Sequence, residues 1–91
     1  MGYSLYYHTE VREADIRYIP SNIQLRISEA IRRRLETSPE LYGIPLRGTL
    51  KGYHKLRVGD YRVVYKIHGK EIGIFAILHR RKVYQEVLKR L

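Results

Sequence analysis

The sequence predicts an α+β fold: a small four-stranded antiparallel or mixed sheet with two N-terminal helices packed on one face and a short C-terminal helix. An apolar repeat with the 3.6-residue period of a helix lies in the first half of the chain. Two alternating runs then flank Gly59–Asp60, as in a β-hairpin. The run "IGIFAILH" is apolar on both faces, as a central strand should be. The predicted order is β-α-α-β-β-β-α, with residues 1–91 forming one domain.

The N-terminal half is predicted to hold one strand and two helices. "YSLYYH", residues 3–8, is the strand, and a short helix over residues 10–18 follows, with Val11, Ala14 and Tyr18 on one side. Pro20 ends that helix, and Ser21 and Gln24 form a capping box for a longer one. Ser38–Pro39 ends the longer helix, and residues 39–52 are a connector. The apolar positions of the longer helix are Ile23, Ile27, Ala30, Ile31 and Leu35.

Three further strands are predicted near residues 53–58, 61–67 and 71–79, with turns at Gly59–Asp60 and Gly69–Lys70. The first turn places Arg57 opposite Arg62. The second turn pairs His68 with Glu71, Tyr65 with Ile74 and Val63 with Ala76. These registers assign every strand residue to one of two faces.

The two faces differ in chemistry, because side chains alternate along a strand. The face turned to the helices is predicted to hold Leu56, Val58, Tyr61, Val63, Tyr65, Ile67, Ile72, Ile74, Ala76 and Leu78. The other is predicted to hold Tyr53, Lys55, Arg57, Arg62, Val64, Lys66, Phe75, Ile77 and His79. We call it the cationic face, after Lys55, Arg57, Arg62 and Lys66. The last segment, "VYQEVLKRL", is predicted to cover it with a helical stripe of Tyr84, Val87, Leu88 and Leu91.

The net charge of +9, from 18 basic and 9 acidic residues, indicates an acidic partner. Nucleic acid is the leading candidate and an acidic protein the second. The chain has no cysteine, which suits the reducing cytoplasm. No apolar run approaches the roughly 18 residues that span a bilayer, so we expect no membrane partner.

The cationic face suits phosphate chemistry. Arginines directly opposite each other are destabilising, and a bound polyanion would relieve their repulsion. No glycine-rich phosphate loop and no histidine pair at ligand spacing occurs, so the sequence predicts neither a cofactor nor a metal site. Arg57 and Arg62 are candidates for charge stabilisation, and Lys55 and His79 for proton transfer. Tyr84 suits base stacking or orientation of the phosphate, although its simplest interpretation is a core position of the last helix.

The stretch "KLRVGDYRVVYKI", followed by "IFAILHRRKVYQEVL", resembles the RelE/ParE superfamily of bacterial and archaeal toxins over nearly the whole chain. The RelE branch implies a toxin of a type II toxin–antitoxin system that cleaves mRNA on the ribosome by 2′-OH attack, without metal. It also implies a cognate antitoxin, often acidic. By motif, the resemblance implies catalytic roles for Lys55, Arg62, an arginine from Arg80–Arg81, and Tyr84. The face assignment adds His79, and RNA binding is predicted for Tyr53, Arg57 and Lys66 on the cationic face and for Lys82 in the basic run beside it.

Two other functions stay open at this point. A ParE-like toxin would share the fold but inhibit DNA gyrase through protein contacts. A basic nucleic-acid-binding module without catalysis is the third possibility, and it requires a buried Tyr84. The resemblance to RelE departs at Tyr53, where members of that branch can carry another lysine.

Overall fold

The computed structural model describes residues 2–91, and its centre is a mixed five-stranded sheet. The strands are β1 (Ser4–Tyr7), β2 (Ile44–Pro45), β3 (Tyr53–Val58), β4 (Tyr61–His68) and β5 (Glu71–His79), in the spatial order β1-β5-β4-β3-β2. Strand β1 runs parallel to β5, and the other pairs are antiparallel. The α+β class is confirmed, but the predicted count of four strands is wrong. Strand β2 lies inside the predicted connector, and two residues are too few to show alternation.

The helices lie on both sides of this sheet. A π-helical turn, Val11–Asp15, continues as a 3-10 turn, Ile16–Tyr18, and α1 (Ser21–Ala30) continues as a second π-helical turn, Ile31–Leu35. The connector adds α2 (Pro39–Tyr42) and a 3-10 turn at Gly48–Leu50, and α3 (Val83–Arg90) ends the chain. Within residues 2–91, no helix has the length and apolar character needed to cross a membrane.

The predicted helical stripe from Ile23 to Leu35 is confirmed, since Ile27, Ile31 and Leu35 are buried in the core. The N-terminal segment differs from its prediction. Tyr18 is 81% exposed, and Asp15 is buried beside Val11 instead, because the change from π-helical to 3-10 pitch turns Tyr18 away from the sheet.

Gln24 does not complete the predicted capping box at the start of α1. Its Nε2 atom donates to the carbonyl oxygens of Ile16 and Ile19, at 3.0 and 2.8 Å. It therefore ties α1 to the preceding helical segment, whereas a capping-box glutamine would bond the N-cap amide.

Two apolar clusters hold the sheet, one on each face. The larger lies between the sheet and the N-terminal helices and includes Val11, Leu35, Tyr65 and Ile74. The smaller lies under α3, where Val83 and Val87 pack with Leu50, Val64 and Ala76. The second cluster fixes α3 on the cationic face.

A register shift in the β4–β5 ladder changes which side chains reach each face. Arg57 pairs with Arg62, His68 with Glu71 and Tyr65 with Ile74, as predicted. The predicted pairing of Val63 with Ala76 is wrong. The ladder shifts between Val64 and Tyr65, so that Val64 pairs with Ala76 and Val63 with Ile77. Phe75 is thereby left as an extra residue in β5, the arrangement of a β-bulge.

The bulge reverses the predicted faces of the last residues of β5. Ile77 and His79 share the face of Val63 and Tyr61, which is turned to the N-terminal helices. Ala76 and Leu78 instead share the cationic face with Val64 and Arg62. Four face assignments are therefore wrong, because strict alternation counts one residue per pleat and the bulge inserts one more.

Candidate active site on the cationic face

The sheet and α3 bring Lys55 and Tyr84 into contact. The Lys55 Nζ atom donates a hydrogen bond to the phenol oxygen of Tyr84 and lies 5.1 Å from the centroid of its ring. Lys55 is half-buried on β3, and Tyr84 is 44% exposed in the first turn of α3. An ammonium donor and a phenol, 29 positions apart in sequence, thus meet at an open surface.

Tyr84 is accessible because α3 buries a different stripe from the predicted one. Val83 and Val87 are buried, together with the side chain of Arg90, at the helical spacing i, i+4 and i+7. Of the predicted stripe only Val87 is buried. Leu88 and Leu91 are exposed, with Tyr84, because Val83 rather than Tyr84 meets the small Ala76 that the bulge turns toward α3.

The opposed arginines of the first hairpin lie at one end of the cationic face. Arg62 folds back over the turn, where its Nη1 atom donates to the carbonyl oxygens of Gly59 and Tyr61 at 3.0 and 2.9 Å. Gly59 has a φ of 59°, as the first residue of a tight hairpin turn requires. Arg57 is exposed. The carbonyls of the turn therefore offset part of the repulsion, and the other N–H groups of Arg62 stay available to an anion.

Tyr53 and Lys66 form the other end of the same face. The Lys66 Nζ atom lies 5.2 Å from the centroid of the Tyr53 ring, and that ring packs against Phe75 at 5.1 Å. Both side chains are partly exposed. An aromatic ring beside a cation is an arrangement that can hold a base and its phosphate.

His79 does not join the other predicted catalytic residues. It faces the N-terminal helices beside Tyr61, whose ring it meets edge to face at 5.6 Å. Its Nδ1 atom accepts a hydrogen bond from the backbone N–H of Arg81 at 3.2 Å. The β5 bulge, which the sequence did not reveal, is the reason for this placement.

The turn between β5 and α3 carries the remaining predicted residues, all exposed: Arg80, Arg81 and Lys82. Arg80 forms an ion pair of 3.6 Å with Asp60 in the first hairpin turn, and its backbone N–H donates to the Asp60 carbonyl at 2.8 Å. These contacts join the start of α3 to the turn that holds Arg62. Within residues 2–91, no group of three or more His, Cys, Asp or Glu side chains is arranged to hold a metal ion.

Asp15 and Arg90, which the sequence analysis missed, form a buried ion pair behind this site. The Arg90 guanidinium meets the Asp15 carboxylate with two hydrogen bonds of 2.8 and 2.5 Å. The hydrogen bond to Asp15 raises the pKa of Arg90 above its ordinary value, although burial acts in the opposite direction. Helical spacing was the available signal, since Asp15 follows Val11 by four residues and Arg90 follows Val83 by seven.

Comparison with known proteins identifies the family of the chain. Residues 6–84 match the family described as the ParE toxin of the type II toxin–antitoxin system parDE. The chain belongs to the RelE/ParE toxin superfamily. It is also 32% identical to toxin RelE3 of Methanocaldococcus jannaschii over 74 residues, which cover 77% of this chain and 83% of that protein. The chain is thus a RelE-like toxin of a type II toxin–antitoxin system.

Solved structures of RelE-like toxins share its fold. One is the RelBE2 toxin–antitoxin complex of Mycobacterium tuberculosis, with 29% identity, a TM-score of 0.80, and coverage of 88% of this chain and 100% of that one. Another is the RelE–RelB complex of Pyrococcus horikoshii, with 32% identity, a TM-score of 0.69, and coverage of 88% and 97%. These similarities extend over most of the sheet and its helices.

Proposed function

We propose that this RelE-like toxin is a ribosome-dependent endoribonuclease, which cleaves mRNA by attack of a 2′-OH on the adjacent phosphate and so inhibits translation. The observation that supports it best is the contact between Lys55 and Tyr84 on the exposed cationic face. Such cleavage requires that the 2′ oxygen lose a proton, that charge on the phosphate be stabilised, and that the leaving 5′ oxygen gain a proton.

The side chains of the cationic face can meet each of these needs. Lys55 and Tyr84 carry the proton-transfer groups: one of the two, deprotonated, accepts the 2′ proton, and the other donates its proton to the leaving 5′ oxygen. The Tyr84 ring is also exposed to a nucleotide base. Arg62, with Arg80 and Arg81 from the adjoining turn, supplies guanidinium groups to the phosphate. Arg57, Lys66, Lys82 and Tyr53 bind the flanking RNA. His79 has no role in this proton transfer, because it lies on the opposite face of the sheet. The mechanism uses only groups of this chain and the 2′-OH of the RNA.

We further propose that the toxin binds a cognate antitoxin and that this antitoxin is an acidic protein. The net charge of +9 favours an acidic partner. The M. tuberculosis and P. horikoshii structures are themselves toxin–antitoxin complexes. Because mRNA and ribosomes are the proposed targets, we place the toxin in the cytoplasm.

Inhibition of DNA gyrase through protein contacts is the second candidate, favoured by the description of the matched family as ParE toxin. Inhibition through protein contacts would not require the Lys55–Tyr84 contact. A basic module without catalysis is less well supported, since it requires a buried Tyr84 and that side chain is 44% exposed.

Addition of the purified toxin to an in vitro translation reaction, followed by primer extension on the mRNA, tests the proposal. Cuts in phase with codons would support ribosome-dependent cleavage. Intact mRNA, together with loss of supercoiling in a gyrase assay, would instead support the second candidate. Naked mRNA serves as the control, because ribosome dependence predicts far slower cutting without ribosomes.

A further inference from the structure

We propose that Asp15 and Arg90 are positioning residues that hold Tyr84 against Lys55. The two ends of α3 carry the two contacts. In the first turn of α3, Tyr84 contacts Lys55. In the last turn, Arg90 forms the bidentate ion pair with Asp15. The Asp15 side chain is 1% exposed and that of Arg90 is 6% exposed.

The ion pair also bonds two backbone groups of β5. Strand β1 pairs with β5 only as far as Ile74, where the His8 N–H donates to the Ile74 carbonyl at 2.8 Å. Beyond that point the Ile77 N–H donates to Asp15 Oδ2 at 3.0 Å, and the Phe75 carbonyl accepts from Arg90 Nη1 at 3.1 Å. Asp15 and Arg90 thus take the place of a neighbouring strand, and they join α3 directly to the edge of the sheet.

Helix α3 depends on such anchoring. It has eight residues, fewer than an isolated helix needs in water, and no side chain caps its N-terminus. Only Val83 and Val87 are buried apolar residues within it, whereas Tyr84 and Leu88 in the helix and Leu91 just after it are exposed. Release of Arg90 frees the last turn of α3, so that the helix can tilt about Val83 and Val87 and the orientation of Tyr84 becomes free to vary.

The inference rests on the proposed function only in giving Tyr84 a chemical role, since the anchoring itself is geometric. Two conservative variants test it. Asp15→Asn removes the charge of the carboxylate, and Arg90→Lys removes the bidentate hydrogen bonding of the guanidinium. Lys89→Gln is the matched control, because Lys89 forms an exposed ion pair of 3.5 Å with Glu86 on the same helix.

The first readout does not involve activity. In Asp15→Asn and Arg90→Lys we expect the nuclear Overhauser contact between the Tyr84 ring and the Lys55 side chain to weaken, and the amides of α3 to exchange faster. The amides of β3 and β4 should keep their protection, and Lys89→Gln should match the wild type. An unchanged Tyr84–Lys55 contact would overturn the inference, as would global exchange that includes β3 and β4.

The second readout is single-turnover cleavage of mRNA on ribosomes. The rate should fall by up to about 10²-fold in both variants, as misplacement of a reacting group predicts, while ribosome affinity stays unchanged. Equal loss of affinity and rate would contradict a positioning role. A lost Tyr84–Lys55 contact with wild-type cleavage would overturn the role of Tyr84, and with it the proposed mechanism, whereas intact mRNA with the wild-type toxin would refute the proposed function alone.

Discussion

Arg57 lies directly opposite Arg62 in the antiparallel ladder between β3 and β4, so the first hairpin opposes two positive charges. Only Arg62 folds back onto the carbonyls of the turn, and Arg57 is exposed. A surface that opposes like charges is suited to an anion that lies across both.

Replacement of Arg57 by threonine should therefore leave the free protein as stable, or more stable by about 0.2–1 kcal/mol, because cross-strand repulsion is removed. Urea denaturation measures this difference. The control is Lys66→Thr on the facing strand, which should lose a little stability because Lys66 contacts the Tyr53 ring. A marked loss of stability in Arg57→Thr would show that Arg57 has a stabilising partner.

At alkaline pH, the free energy of unfolding should depend on the ionisation of Tyr65. Burial, with the charge of Glu40 as the next cause, raises the pKa of Tyr65 to about 12. In the unfolded chain a tyrosine ionises near pH 10, so the contribution of Tyr65 is complete below about pH 10 and is lost between about pH 10 and 12. Denaturation measured over this range should show a steeper fall for the wild type than for Tyr65→Phe. The exposed Tyr18→Phe should keep the wild-type slope.

Gly43 should tolerate no side chain. A Cβ atom there would lie 1.8 Å from the Tyr65 hydroxyl, which donates to the Pro39 carbonyl at 2.6 Å. Gly43→Ala should thus lower the free energy of unfolding by about 1–3 kcal/mol, the usual cost of overpacking. Tyr65→Phe in the same chain should relieve part of the loss. Equal losses with and without the hydroxyl would show that the clash does not involve the Tyr65 hydroxyl.

The choice among proton carriers can be tested at His79. Because His79 faces the N-terminal helices, His79→Ala should keep most of the cleavage activity. Arg62→Ala should lose about 10²–10³-fold in single-turnover rate, the effect of removing one charge-stabilising donor. A fall of about 10²–10⁴-fold in the single-turnover rate of His79→Ala would instead assign a proton transfer to that histidine.

Local patterns predicted both hairpin turns and the buried stripe of the longer helix. The alternation around Gly59–Asp60 gave the pairing of Arg57 with Arg62, and the helical period gave the buried Ile27, Ile31 and Leu35. These features depend on residues close in sequence, whose turn and period follow directly from backbone geometry.

The remaining features depend on contacts between distant segments. The β5 bulge arises where Val64 meets Ala76, and it alone decides that His79 leaves the cationic face. Strand β2 is too short to show a pattern, and the Asp15–Arg90 pair joins residues 75 positions apart. In the sequence alone, a charged residue within an apolar stripe indicates an exposed position, because its ion-pair partner is not known.

The most direct test of the proposed mechanism is the single-turnover rate of mRNA cleavage on programmed ribosomes by Lys55→Met. Lys70→Met is the matched control, because Lys70 also lies over a tyrosine ring, that of Tyr3, at 5.5 Å, but outside the cationic face. The mechanism predicts a fall of about 10²–10⁴-fold for Lys55→Met, as expected for loss of a proton-transfer group, and a wild-type rate for Lys70→Met. A wild-type rate for Lys55→Met, with codon-phased cuts unchanged, would contradict it.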